Sequence, residues 1–135
     1  MPEQLYPWMH LIGRILFSFL FIMAGINHLA KFKDMVAYAE SRGAPQPKIT
    51  VPLTGVMALV GGVFVVLGWH RFIGAGLIAI FLLLTAVLMH NFWRDTDPMA
   101  RQNEMTHFMK NFVMLGAALF IAFYGGTSWP MSLGG

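Results

Sequence analysis

The sequence predicts an all-α protein, a four-transmembrane-helix antiparallel bundle, on the strength of three observations. The chain of 135 residues is 57% hydrophobic and 11% charged, with a mean hydropathy of +0.63, far more apolar than a soluble domain of its length. Its apolar residues fall into four runs, each near the length of about 20 helical residues that a bilayer core requires. Those runs are continuous rather than alternating, which excludes a membrane barrel. Lipid offers no hydrogen bonds to backbone groups, so a short isolated segment crosses it only as a helix.

The first predicted span runs from Trp8 to Leu29, the second from Val51 to Trp69, the third from Phe72 to Met89 and the fourth from Phe108 to Tyr124. Together they make one domain over residues 1–135. The opening Met1-Pro2-Glu3-Gln4 has no basic n-region, and the first apolar run is too long for a signal-peptide core, so this segment reads as retained. The second and third spans are separated by little more than His70 and Arg71, which forces an antiparallel hairpin. Between the first two spans, Met35 to Ala39 fits a short interfacial helix. The stretch Ser41-Arg42-Gly43-Ala44-Pro45-Gln46-Pro47 ends it, because Gly and paired Pro cannot continue a helix. His90 to His107 reads as a charged connection. Small-residue pairs four apart, Ala58 with Gly62, Ala75 with Ala79 and Ala118 with Ala122, are candidate packing positions. Trp8, Trp69, Trp93 and Trp129 fall near span ends, where aromatic anchors belong. No internal repeat is evident.

Nine Lys and Arg against six Asp and Glu give a net charge of +3. Most of these charges gather in two connections rather than along one face, which argues against nucleic-acid binding. The chain has no cysteine, so disulfides and thiolate chemistry of its own are excluded. Lys31, Lys33, Arg42, Lys48, Arg94, Arg101 and Lys110 lie on or near one side of the membrane, against Arg14 and Arg71 on the other. The positive-inside rule then predicts both long connections in the cytoplasm and both termini outside.

Polar side chains at bilayer depth are costly and usually face a bundle interior. Four antiparallel spans bring Asn27, His28 and Lys31, then His90, Asn91 and Trp93, then His107, Lys110 and Asn111 to the same membrane surface. On helical spacing, Arg14, Ser18, Phe21, Gly25, His28 and Phe32 share a face of the first helix, and His107, Asn111, Met114 and Ala118 a face of the fourth. Turned toward one another, these faces enclose a polar pocket. The expected ligand-binding residues are therefore Arg14, Asn27, His28, Lys31, His90, Asn91, Trp93, His107, Lys110 and Asn111. Each has a plainer reading: Lys31 and Lys110 as cations snorkelling to headgroups, the histidines as interfacial residues. Arg14 either snorkels or faces inward, and an inward Arg14 needs a carbonyl or carboxylate partner. The predicted spans contain no carboxylate. His28, His90 and His107 form no i, i+3 or i, i+4 pair on one helix, so no metal centre is expected. Imidazoles and amides beside aromatic and Met side chains suit a lipophilic ring bearing oxygens, such as a quinone.

The sequence resembles the DoxX family of small bacterial four-helix membrane proteins. The resemblance rests on Gly13-Arg14-Ile15-Leu16, Ala24-Gly25-Ile26 and Lys31 in the first span, and on Gly61-Gly62 with Leu67-Gly68 in the second. It continues through His90-Asn91-Phe92-Trp93 and closes with His107-Phe108-Met109-Lys110-Asn111 before Leu115-Gly116. It implies a multi-pass protein of the bacterial cytoplasmic membrane and, by analogy with relatives that serve as subunits of oxidoreductase assemblies such as thiosulfate:quinone oxidoreductase, a quinone-linked role. The expected partners are the bilayer and redox proteins, with a homo-oligomer as a further option. The rival readings are a membrane scaffold whose polar residues merely lock the helices and, less favoured, a small-solute transporter.

Overall fold

In the computed structural model, which describes residues 2–123 and 128–134, five helices follow one another in the order α1 (Tyr6–Ala30), α2 (Phe32–Ser41), α3 (Pro47–Leu67), α4 (Arg71–Leu88) and α5 (Pro98–Phe123). A 3-10 turn, Phe92–Arg94, lies between α4 and α5. Four of the helices, all but α2, are long and apolar enough to cross a membrane. Large apolar side chains cover their outer surfaces, with Leu16, Val113 and Phe123 more than 70% exposed, as lipid-facing helices require.

Local chemistry sets the helix ends. Proline stands in the first turn of both α1 and α3, where its missing N–H is not needed. Helix α2 is the interfacial segment expected from the sequence, extended at both ends. Gly43, at φ +76°, terminates it in a Schellman pattern, with the Ala44 N–H donating to the Ala39 carbonyl at 3.0 Å and the Gly43 N–H to the Glu40 carbonyl at 3.0 Å. Helix α5 departs from expectation: it begins at Pro98 rather than Phe108. The Asp97 carboxylate caps it, accepting from the Ala100 N–H at 2.9 Å, and Pro98 follows as a first-turn residue. Much of the stretch read as a connection is therefore helix. At the other end of this span, Tyr124 lies outside the described residues.

The closest helix pairs are α1 with α3, α3 with α4 and α4 with α5. Glycine permits the first two. A Cβ on Gly25 of α1 would lie 2.6 Å from the Gly55 carbonyl oxygen and 2.6 Å from Leu59 Cβ of α3. One on Gly61 would lie 2.8 Å from the Gly74 carbonyl oxygen of α4. Ala58, Ala75 and Ala118 are fully buried beside Phe21, Ile78 and Leu82 in the core, with Ala79 and Ala122 at its margin, so the small-residue pairs expected from the sequence do sit at helix contacts.

At the end holding the α3–α4 turn, residues 128–134 fold back. The Leu133 N–H donates to the Leu67 carbonyl at 2.9 Å, the Gly134 N–H to the Gly68 carbonyl at 3.2 Å, and the His70 N–H to the Gly134 carbonyl at 3.3 Å.

Substituting Gly25 by Ala is expected to destabilise the detergent-solubilised protein by about 1–3 kcal/mol, because overpacking against backbone is not relieved by rotamer changes. Gly76, with nothing within 4 Å of a built Cβ, is the control. Thermal unfolding of G25A and G76A side by side is expected to show a large loss only in the first.

Candidate functional site

The polar residues divide between the two ends of the bundle. Arg14 is 4% exposed and bonds the folded-back tail, with Nη1 donating to the Pro130 carbonyl at 2.7 Å and Nη2 to the Met131 carbonyl at 2.6 Å. Its guanidinium carbon lies 5.7 Å from the centre of the Trp129 ring, and that of Arg71 lies 5.0 Å from it. An inward Arg14 thus finds carbonyl partners. This corrects its expected place beside the histidines: fourteen residues of helix, about 21 Å, separate it from His28.

At the opposite end, Asn91 is 5% exposed, but its amide is engaged by protein. Its Oδ1 accepts from Arg42 Nη2 at 2.6 Å, and its Nδ2 donates to the Arg42 and Leu88 carbonyls at 3.2 and 3.3 Å. Arg42 also forms a two-pronged ion pair with Asp95, at 2.9 and 3.1 Å, and donates through Nε to the Met89 carbonyl at 2.9 Å. Asn91, expected among the ligand residues, thus sits in a clasp fastening the end of α2 to the end of α4 and does not line the cavity beside it. Arg42 and Asp95 read from sequence only as connection charges. Hydrogen bonding to Arg42 holds the Asp95 carboxyl below its usual range, and the same bond raises Arg42.

Beside this clasp lies a cavity of about 210 Å³, bounded by α1, α2, α4 and α5. Its floor is apolar: Phe21, Ala24, Phe81, Leu82 and Met114, with Phe21 and Phe81 edge to face at 6.2 Å. Four expected residues line it, His28, His90, Lys110 and Asn111. His28 Nδ1 lies 2.7 Å from the Ala24 carbonyl, and Asn111 Nδ2 donates to Thr85 Oγ1 at 2.8 Å and to the Leu82 carbonyl at 3.3 Å. His107 stands behind, its ring stacked on that of His90 at 5.0 Å. Asn27, Lys31 and Trp93 do not line the cavity. Lys31 is exposed at the break between α1 and α2, and Trp93 is exposed and packs edge-on against Phe108. Leu20, in mid-span and 46% exposed, also lines the cavity, so the cavity reaches the lipid-facing surface of α1.

The early start of α5 supplies a residue that sequence reading missed. Glu104 lies inside that helix, one turn before His107, and its Oε2 sits 2.8 Å from His90 Nδ1. Its Oε1 accepts from the Tyr38 hydroxyl at 3.4 Å. The expectation of carboxylate-free spans assumed a helix starting at Phe108. The Asp97-Pro98 start signal, followed by Glu104, His107 and Asn111 at helical spacing, would have revealed it. Burial, and secondarily the Glu104 charge, raise the Tyr38 phenol.

Among the described residues no group of three metal-ligating side chains converges. The family model described as DoxX matches residues 9–91. The chain belongs to the DoxX family. It is similar to the inner membrane protein YphA of Escherichia coli K12, 34% identical over 88% of this chain and 84% of the relative. It is also similar to the inner membrane protein YqjF of the same organism, 32% identical over 90% of this chain and 87% of the relative. No solved structure gives a significant match. With its four membrane-crossing helices, this DoxX protein is a multi-pass inner-membrane protein. The DoxX match takes in His28 and His90 but stops at Asn91, so the α5 wall of the cavity lies beyond it.

Because the folded-state Asp95 value is depressed, its contribution to stability is full above the ordinary carboxylate range and is lost as pH falls through the lowered value. Thermal unfolding of wild type and Asp95→Asn as a function of pH is expected to show wild type more stable at neutral pH, with the two curves converging in acid. A gap independent of pH would contradict the ion pair.

Proposed function

We propose that this DoxX protein is a membrane subunit working with an oxidoreductase system, and that it holds a quinone or similar lipophilic ring in the cavity between α1 and α5. The observation that carries this reading is the cavity itself: an apolar floor with His28, His90 and Asn111 from three segments on its polar wall. Such a division matches an amphiphilic ring, with flat apolar faces and oxygens at its edge. The chain has no cysteine, so electrons pass through the bound ligand or a partner protein rather than through thiols. The scaffold reading accounts for Asn91, whose bonds close on Arg42 and Asp95. It does not account for His28, His90 and Asn111, each of which keeps a hydrogen-bonding atom without a protein partner among the described residues.

Native mass spectrometry of protein purified from membranes is expected to show a retained lipophilic quinone in wild type and its loss in Asn111→Leu, with size-exclusion profiles unchanged. Retention by Asn111→Leu equal to wild type would count against the cavity as the site.

We further propose that the clasp and cavity lie at the cytoplasmic surface, the charge asymmetry of the connections supporting this. The absence of cysteine makes labelling direct. In intact cells an impermeant maleimide is expected to reach Leu133→Cys, a site 68% exposed, but not Lys33→Cys. The reverse pattern inverts the orientation.

A further inference from the structure

The polar wall of the cavity has a definite hydrogen-bonding sense. His28 Nδ1 lies 2.7 Å from the Ala24 carbonyl. A carbonyl only accepts, so this partner assigns the proton of the neutral ring to Nδ1 and leaves Nε2 with a lone pair. His90 Nδ1 lies 2.8 Å from Glu104 Oε2, while the other carboxylate oxygen accepts from the Tyr38 hydroxyl at 3.4 Å. Facing a carboxylate, a neutral His90 ring donates through Nδ1 and keeps Nε2 as an acceptor. Asn111 commits both Nδ2 hydrogens, to the Thr85 hydroxyl and the Leu82 carbonyl, leaving Oδ1. Among the described residues none of these three atoms meets a protein donor, and all three residues line the cavity. The wall thus offers three acceptors; of the donors lining the cavity, the Tyr38 hydroxyl is committed to Glu104 and the Thr85 hydroxyl to carbonyls of its own helix, and the Lys110 ammonium stands at the exposed rim.

We propose that the cavity selects the hydroxylated form of its ligand, an aromatic diol of the quinol class over the corresponding dione, with His28 Nε2, His90 Nε2 and Asn111 Oδ1 as the acceptors. The proposal rests on the reading of this cavity as the ligand site and specifies its chemistry. A diol offers O–H donors to lone pairs that the protein leaves unmatched. A dione sets its own lone pairs against them, so the unpaired polar groups on both sides lose their water without gaining a bond. Glu104 acts as a positioning residue: its carboxylate fixes the His90 tautomer in which Nε2 accepts.

Three probes with one ring system separate the alternatives: menadiol kept reduced under anaerobic conditions, its dimethyl ether, and menadione. Each is titrated into the full chain in phosphatidylcholine nanodiscs, whose headgroup supplies no hydrogen-bond donor. Menadiol is expected to bind roughly tenfold or more tightly than either of the others. Menadione or the ether binding as tightly as menadiol overturns the acceptor wall while leaving the cavity site standing. Binding of none of the three removes the site and this inference together. In Glu104→Leu, His90 is released to either tautomer, and the ratio of menadiol to menadione affinity is expected to fall several-fold. Glu104→Gln, which keeps an acceptor oxygen opposite Nδ1, restores most of it. Because the ratio is read within each variant, a general folding defect does not imitate the effect, and an unchanged ratio in Glu104→Leu overturns the role of Glu104.

Discussion

The close approach of α1, α3 and α4 across their glycines is the constraint on which the rest of the molecule depends. In hydrocarbon there is little hydrophobic gain from bringing one greasy helix against another, so association relies on contact at short range. Gly25 and Gly55 supply it between α1 and α3, and Gly61 and Gly74 between α3 and α4. These contacts join α1, α3 and α4 in a row. Helix α5 then packs on α4, and the bulky pair Phe21 and Phe81 fills the angle between α1 and α4. The cavity is what the row leaves where α1 and α5 do not meet closely.

The two ends of the bundle handle buried polarity in opposite ways. At the Arg14 end much of the demand is met within the protein. A guanidinium at membrane depth is coordinated through Nη1 and Nη2 by two carbonyls of the returning tail and covered by Trp129, while its Nε and the Ser18 hydroxyl stay buried without a partner among the described residues. At the other end polarity is divided. Arg42, Asn91 and Asp95 satisfy one another and hold α2 across the bundle end, while His28, His90 and Asn111 are each anchored on one side and open on the other. A clasp of matched groups beside a wall of half-matched ones is a sensible order of parts, since a site that must receive a ligand needs rigid surroundings.

Much of this was legible in the sequence, and the misses have a common cause. Helix number, the hairpin at His70-Arg71 and the inward face of Arg14, Ser18, Phe21 and Gly25 follow from run length and periodicity alone. His28, His90, Lys110 and Asn111 were expected at the cavity because antiparallel spans carry those positions to one surface. Arg14 was misplaced because a shared helix face says nothing of depth: residues on one stripe are still separated along the axis. Glu104 was overlooked because hydropathy marks where lipid begins, whereas a helix starts where its first turn is capped, at Asp97-Pro98. Arg42 and Asn91 pair across 49 residues of chain, and no local signal encodes such a meeting.

The lipid-facing Leu20 in the cavity lining changes what occupancy of the cavity means. On the proposed reading of the cavity as a ligand site, a guest entering past Leu20 travels through the lipid phase, so the relevant chemical potential is the mole fraction of that guest among membrane lipids, not its concentration in the cytosol. Filling of the cavity therefore tracks the composition of the surrounding bilayer, and a poorly soluble molecule scarce in water but abundant among acyl chains is met at its full membrane abundance.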